Sequence, residues 1–305
     1  MPCGPWVLHL KFESKHVVVL GLEPRAQARS VRRLFSYSDI KGDPTETQHT
    51  VLSPYLIDAS SLTNPHLVVR EETKPINGLP KLVIGSKPID GGHFIFTTEE
   101  KNEFLAQEPQ AAPYMRPYIG SREFLNGGER YILCAPLIPP HEFTRMPQTK
   151  AVVAQVREYR LGHIPAKSKD ASSMKEPGIS SRTLAKTPNS FHVKVIPEAS
   201  FLVFPESSSE KREYAPIGWL EPPTVPSNLV RIVAKATLAD FSILMSAMHM
   251  SWLRTVGGRI KSDYRYSIGL VYNAFPMPQT KDLSKLAPFA QAILDARANH
   301  SNATP

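Results

Sequence analysis

Asp90, Glu99 and Lys101, within "IDGGHFIFTTEEK", are the first residues of this sequence whose types and spacing could do chemistry. An Asp and a Glu-x-Lys on adjacent strands would hold Mg²⁺ and orient a water for phosphodiester hydrolysis. The local pattern points elsewhere. Thr97 and Glu100 have capping-box spacing, which puts Glu99 and Lys101 in the first turn of a helix, the ordinary place for acids that complement its dipole. Other chemistries lack their parts. A phosphate loop needs several glycines between a strand and a helix, and "VVVLGLEPR" offers only Gly21. "DGGHF", "NGGER" and "GGRIK" read as turns or helix ends. The ten histidines show no metal-ligand spacing, and no Gly-x-Ser-x-Gly elbow is present. Transfer of a methyl group to a base amino group would need an Asn/Asp/Ser-Pro-Pro-aromatic turn. The two Pro-Pro pairs, "LIPPHEF" and "LEPPTVP", have neither the polar residue before nor the aromatic after.

What remains is a binding profile. Residues 145–186 carry nine Lys/Arg against three Asp/Glu. "SSSEKREY" sets Ser208, Lys211 and Arg212 beside Tyr214, and hydroxyls with cations are the usual phosphate contacts. "LRTVGGRIKSDYRYS" adds Arg254, Arg259, Lys261, Tyr264 and Arg265. Arg254 and Arg259 fit dipole complementation at a helix end equally well. For the rest, an Asp263–Arg265 pair with tyrosines packing a domain joint competes evenly with contact to DNA.

The elements that must position these residues are short. Of the 305 residues, 41% are hydrophobic, enough for a core, and 29 prolines are spread as punctuation along the chain. A formal charge of +8 favours an anionic partner. Cys3 and Cys134 make neither a disulfide framework nor a zinc site. No apolar run reaches membrane-spanning length and the start lacks signal-peptide form, so a cytoplasmic location without membrane contact is expected. Residues 16–22, "HVVVLGL", read as a buried strand without neighbours. Further strands are expected at 81–84, 93–96, 130–133, 191–196 and 201–204, and helices at 97–107, 121–125, 149–161, 238–256 and 281–299. Phe241, Leu244, Met245, Met248 and Trp252 mark one face of the helix over 238–256. Residues 162–180 read as a polar loop. The fold class is α+β: an irregular mixed α/β body followed by a smaller, mainly helical unit.

The blocks "LFSYSDIKGDP", "SPYLID", "KPIDGG", "RPYIGSREFLNGGERY", "SSSEKREYAPIGWL", "MHMSWLRTVGGRIKSDYRYS" and "LVYNAFPMP" stand in an order that resembles the C-terminal half of MmeI-like DNA methyltransferases, single-chain type II restriction–modification enzymes. The resemblance implies a remnant of the methyltransferase core over 1–31, a target-recognition domain over 32–222, and a truncated helical domain over 223–305. It implies double-stranded DNA as partner, adenine methylation by the full-length family with S-adenosylmethionine, and a separately encoded methyltransferase half as a further partner. No cofactor and no catalytic residue fall in this chain. Specificity positions of the family lie near "SFHVKVIPEAS". Strand alternation there puts His192 and Lys194 on one face, where they could donate to purine acceptors in the major groove. Two other readings stay open: an autonomous nucleic-acid-binding module without chemistry, and an inactive gene fragment.

Overall fold

The computed structural model describes residues 30–37, 42–168, 176–277 and 282–300, so the strand expected at 16–22 lies outside the described residues. An exposed antiparallel hairpin comes first, β1 (Arg32–Ser36) with β2 (Thr45–His49). After a long irregular segment follow β3 (Leu82–Ile84), β4 (Ile95–Phe96) and α1 (Thr98–Gln107). The expected capping box forms: Thr97 Oγ1 accepts from the Glu100 N–H at 3.2 Å, and the Glu100 carboxylate accepts from the Thr97 N–H at 3.0 Å. Thr97→Ala should therefore cost about 1 kcal/mol of stability, read as a lower urea midpoint with unchanged slope.

The chain continues through β5 (Met115–Ile119), α2 (Ser121–Asn126), β6 (Tyr131–Leu133), α3 (Pro140–Phe143), α4 (Pro147–Leu161) and α5 (Ile179–Leu184). Then come β7 (Phe201–Pro205), β8 (Ser207–Ser208), β9 (Gly218–Leu220), β10 (Val225–Pro226) and β11 (Val230–Ala234). The last part holds α6 (Leu238–Leu244), α7 (Ala247–Val256), β12 (Gly258–Ile260), β13 (Asp263–Arg265), a π-helical turn (Ile268–Asn273) and α8 (Ala287–Ala298).

Two four-stranded sheets organise this α+β fold. One runs β10-β5-β6-β4 and buries Phe94, Ile132, Leu133, Met146 and Val156 beneath α4. The other runs β3-β11-β7-β9, antiparallel throughout. Every residue of β7 is buried because both faces are covered. Phe201 and Val203 pack with Val230, Ile232 and Phe124, whereas Leu202 and Phe204 pack with Phe241, Leu253 and Tyr272 from the helical layer. That two-sided cover is why the sequence here is continuously apolar rather than alternating. β10 and β11 follow residue 222, yet they pair with β5, β3 and β7, so both sheets draw strands from both sides of that point. The sheets meet where Ser86 bridges Ser227, and Gly85 fits there because a Cβ would lie 2.2 Å from the Ser227 carbonyl oxygen.

Several elements depart from expectation. The helix over 238–256 is two helices, broken at Met245 and Ser246. Ser246 caps α7, its Oγ accepting from the His249 N–H at 3.1 Å, and this local bond ends the first helix. Met248 consequently leaves the core stripe. It is exposed and lines an apolar groove of about 1240 Å³ with Trp219, Met245, Phe289 and Ile293. The expected strand at 191–196 is reduced to one bridge, Val193 to Lys87. Ile89, at φ +51°, turns the chain away on one side, and on the other the Gly85 N–H is taken by the Val230 carbonyl.

Candidate nucleic-acid interface

The cations of the last part gather on one ribbon. α7 ends at Val256, Gly257 and Gly258 turn the chain, and β12 pairs with β13, which pairs in turn with β8. Register sets Arg259 opposite Tyr264, Tyr264 opposite Ser208, and Arg265 opposite Ser207. Arg254, in the last turn of α7, donates to the carbonyls of Arg212 and Glu213 at 3.5 and 3.2 Å. Of the residues expected to touch DNA, Ser208, Lys211, Arg212, Arg254, Arg259, Lys261, Tyr264 and Arg265 thus converge here. Lys261 stands at the tip of a tight turn at φ +59°, where it is exposed.

They are not equally presented. Tyr264 is 5% exposed and Ser208 8%. The Arg259 guanidinium lies 4.0 Å above the Tyr264 ring and donates to the Ser262 carbonyl at 3.0 Å, so the phenol ring supports a cation from below. Arg265 reaches Glu206 at 3.6 Å, where the sequence had suggested Asp263, and Glu206 also holds Arg231 at 2.9 Å. Tyr266 and Tyr272 are buried and hydrogen-bonded, to His249 at 2.8 Å and to the Pro80 carbonyl at 2.7 Å. Burial raises both phenol pKa values far above their ordinary range. Residues 263–266, β13 and the residue after it, therefore alternate: tyrosines inward, Asp263 and Arg265 outward.

His192 and Lys194 lie elsewhere, on the segment beside the end of β3. Both are exposed, while Val193 and Val195 are half-buried and Val195 packs against the cluster of Phe201, Val203, Val230 and Ile232. Val193 exchanges two backbone hydrogen bonds with Lys87, at 2.9 and 3.1 Å. Ser86, wholly buried, grips Val195 with one hydroxyl, donating to its carbonyl at 2.7 Å and accepting from its N–H at 2.9 Å.

The nuclease-like pattern does not assemble. The Asp90 carboxylate, buried, accepts from the Phe94 N–H at 2.9 Å within its turn, and Lys101 lies 3.7 Å over the Tyr131 ring. Hydrogen bonds from the helix start, the backbone N–H of Glu99 and the Thr97 hydroxyl, lower the Glu99 pKa. Among the described residues no group of three or more His, Cys, Asp or Glu could hold a metal ion. At two of the glycine turns the close neighbour is the protein itself: a Cβ at Gly91 would strike the Tyr159 ring at 2.6 Å, and one at Gly257 would strike the Leu253 carbonyl at 2.4 Å. No described helix is long and apolar enough to cross a membrane.

One residue that matters was not singled out by its sequence. Arg160 is 0% exposed, and its guanidinium donates to six backbone carbonyls. Nε serves Ile89 at 2.8 Å; Nη1 serves Leu184, Thr187 and Pro188 at 3.0, 3.2 and 3.1 Å; Nη2 serves Pro88 and Ser190 at 2.8 and 2.7 Å. Burial pushes its pKa down, opposed by the field of Asp90. A signal existed: Thr149, Val153, Val156 and Arg160 follow steps of four, three and four along the buried face of α4.

Comparison with known proteins places this geometry. A family model described as "MmeI, target recognition domain" matches residues 63–279. DNA methyltransferase A of Bacillus subtilis (strain 168) is 36% identical over 257 residues, which are 84% of this chain and 27% of that protein. The solved structure of the type IIL restriction–modification enzyme MmeI in complex with DNA superposes with a TM-score of 0.81 at 32% identity, covering 98% of this chain and 38% of that one. The chain thus spans well under half the length of either relative.

Proposed function

Because the chain belongs to the MmeI target-recognition-domain family, we propose that it reads the sequence of double-stranded DNA for an adenine methyltransferase or restriction–modification enzyme and performs no chemistry itself. The observation that carries the reading is the segment 190–195. It is fixed through Val193 and Val195 while His192 and Lys194 project outward, which is what base-edge readout in a major groove requires. Lys211, Arg212, Arg254, Arg259, Lys261 and Arg265 supply the sequence-independent phosphate contacts, with Tyr264 and Ser208 as the floor beneath them. Methyl transfer from S-adenosylmethionine belongs to a methyltransferase portion, encoded separately or in continuity. Residues 32–222 form the recognition portion. Residues 223–305 form the helical portion, whose first strands, β10 and β11, complete the recognition sheets. The site of action is the cytoplasm.

The test is selection of duplexes from a random pool by the purified chain, with sequencing of those retained at moderate salt. One short motif should be enriched. His192→Ala with Lys194→Ala should relax that motif, since each lost base contact is worth about 1–3 kcal/mol of discrimination. Lys261→Ala should instead weaken binding to all sequences alike and reduce the salt slope by about one. A motif unchanged by the double substitution would sink the readout assignment. Binding insensitive to salt would sink the phosphate assignment.

A further inference from the structure

Exposure alone does not make His192 and Lys194 selective. A side chain that discriminates base edges must sit on backbone that does not yield when the wrong base is offered. Three devices fix that backbone. Arg160 takes the carbonyls of Leu184, Thr187, Pro188 and Ser190 on the approach, and with the same guanidinium those of Pro88 and Ile89. Lys87 pairs with Val193 through both its backbone groups. Ser86 closes the far end by holding both backbone groups of Val195. All three fasten the segment to the one stretch 86–89, which the Ser86–Ser227 bridge and the Gly85–Val230 hydrogen bond seat between the two sheets. Ile89 is held at φ +51°, a conformation costly for a β-branched residue, and its carbonyl is the one that Arg160 Nε occupies.

We propose that Arg160 and Ser86 are positioning residues for sequence discrimination: neither touches DNA, and together they hold the backbone from which His192 and Lys194 are presented. The proposal rests on the assignment of His192 and Lys194 as readers. It predicts a separation that ordinary destabilisation does not produce. Loosening the segment weakens preference for the right sequence and leaves general affinity, which comes from the separate ribbon of cations, nearly intact.

The experiment takes the whole chain as wild type, Ser86→Ala, Arg160→Lys and His192→Ala/Lys194→Ala. For each, amide exchange at Val193 and Val195, affinity for a non-cognate duplex, and enrichment from a random duplex pool are measured. Circular dichroism confirms folding. In folded Ser86→Ala the Val195 amide should lose its protection, enrichment of the preferred motif should fall about tenfold, and non-cognate affinity should change less than about twofold. Arg160→Lys should act the same way and more strongly where it folds, because one ammonium cannot span six carbonyls. Folded Ser86→Ala with unchanged protection, or with lost protection and undiminished enrichment, overturns the proposal. So does a parallel loss of cognate and non-cognate affinity. If the His192→Ala/Lys194→Ala chain enriches the wild-type motif, or the wild type enriches none, the reader assignment fails and the positioning role falls with it, whereas the exchange result still reports whether the clamp exists.

Discussion

Arg160→Met should lower the melting temperature by about 10–20 °C and leave a chain that is partly unfolded well below the wild-type transition. Methionine fills much of the space along the buried face of α4 but donates nothing. Six carbonyls then lose the guanidinium at once: those of Leu184 and Thr187 keep a backbone donor, at 3.1 and 2.9 Å, and those of Pro88, Ile89, Pro188 and Ser190 lose the side chain that held them. A buried acceptor without a donor costs about 1–3 kcal/mol, and with water reaching one of these four the loss is still about 5 kcal/mol. That is a large share of the roughly 5–15 kcal/mol that separates folded from unfolded domains. Arg160→Lys should fall between, since an ammonium keeps the charge and three donors but not the planar fork. Thermal unfolding by circular dichroism decides it. A methionine variant that melts within about 3 °C of wild type would show that the two loops find their partners without the guanidinium.

The second large effect is on stability against acid. His249 is 0% exposed, packed edge-on against Phe275 and bonded through Nε2 to the Tyr266 hydroxyl at 2.8 Å, with Nδ1 left without a partner. Burial pushes its pKa down to about 3, against roughly 6.5 in an unfolded chain. Between those values the unfolded chain binds a proton that the folded chain refuses, so acid favours unfolding. The contribution is fully present above about pH 6.5 and is lost as pH falls toward 3, reaching about 2–3 kcal/mol of destabilisation by pH 4.5. The ionisable neighbour in contact, Tyr266, stays neutral throughout that range because burial raises its pKa. His249→Phe should be somewhat less stable at pH 7.5, having stranded the Tyr266 hydroxyl, yet should lose less on going to pH 4.5. Urea midpoints of both proteins at the two pH values test this. Equal losses would remove His249 as the cause.

Which features could be read from the chain depends on how local their causes are. The capping box of Thr97 and Glu100 needs only four consecutive residues, and it formed as spaced. β7 could be read because burial on two faces leaves an unbroken apolar run. The break at Ser246 was also local, but a long apolar stripe on either side concealed it: Met245 and Met248 fit one helix in sequence and belong to two different surroundings in space. "DYRYS" carried the period-2 signature of a strand. Lying past the helix end, it suited a packed domain joint and a DNA contact equally, and that left the inward direction of Tyr264 and Tyr266 open. The cations of the ribbon were identified by composition, but nothing in the sequence could say that residues 207–208 and 258–265 would pair. Arg160 lay on the buried face by periodicity. Its partners are carbonyls, which no side-chain pattern reveals.

The position of β11 has a consequence for the order of events as the chain leaves the ribosome. β11 is an inner strand of its sheet, hydrogen-bonded to β3 on one side and β7 on the other. The partner β3 is made about 150 residues earlier and must wait, with Leu82 and its neighbours uncovered, until residues 230–234 emerge. Loop closure over that separation is slow, and the sheet cannot nucleate from its first-made strand outward. Until then the finished parts are the local ones, such as α1 and α4. Synthesis therefore passes through a long window in which β3, whose Leu82 ends up buried, is open to aggregation and to chaperones.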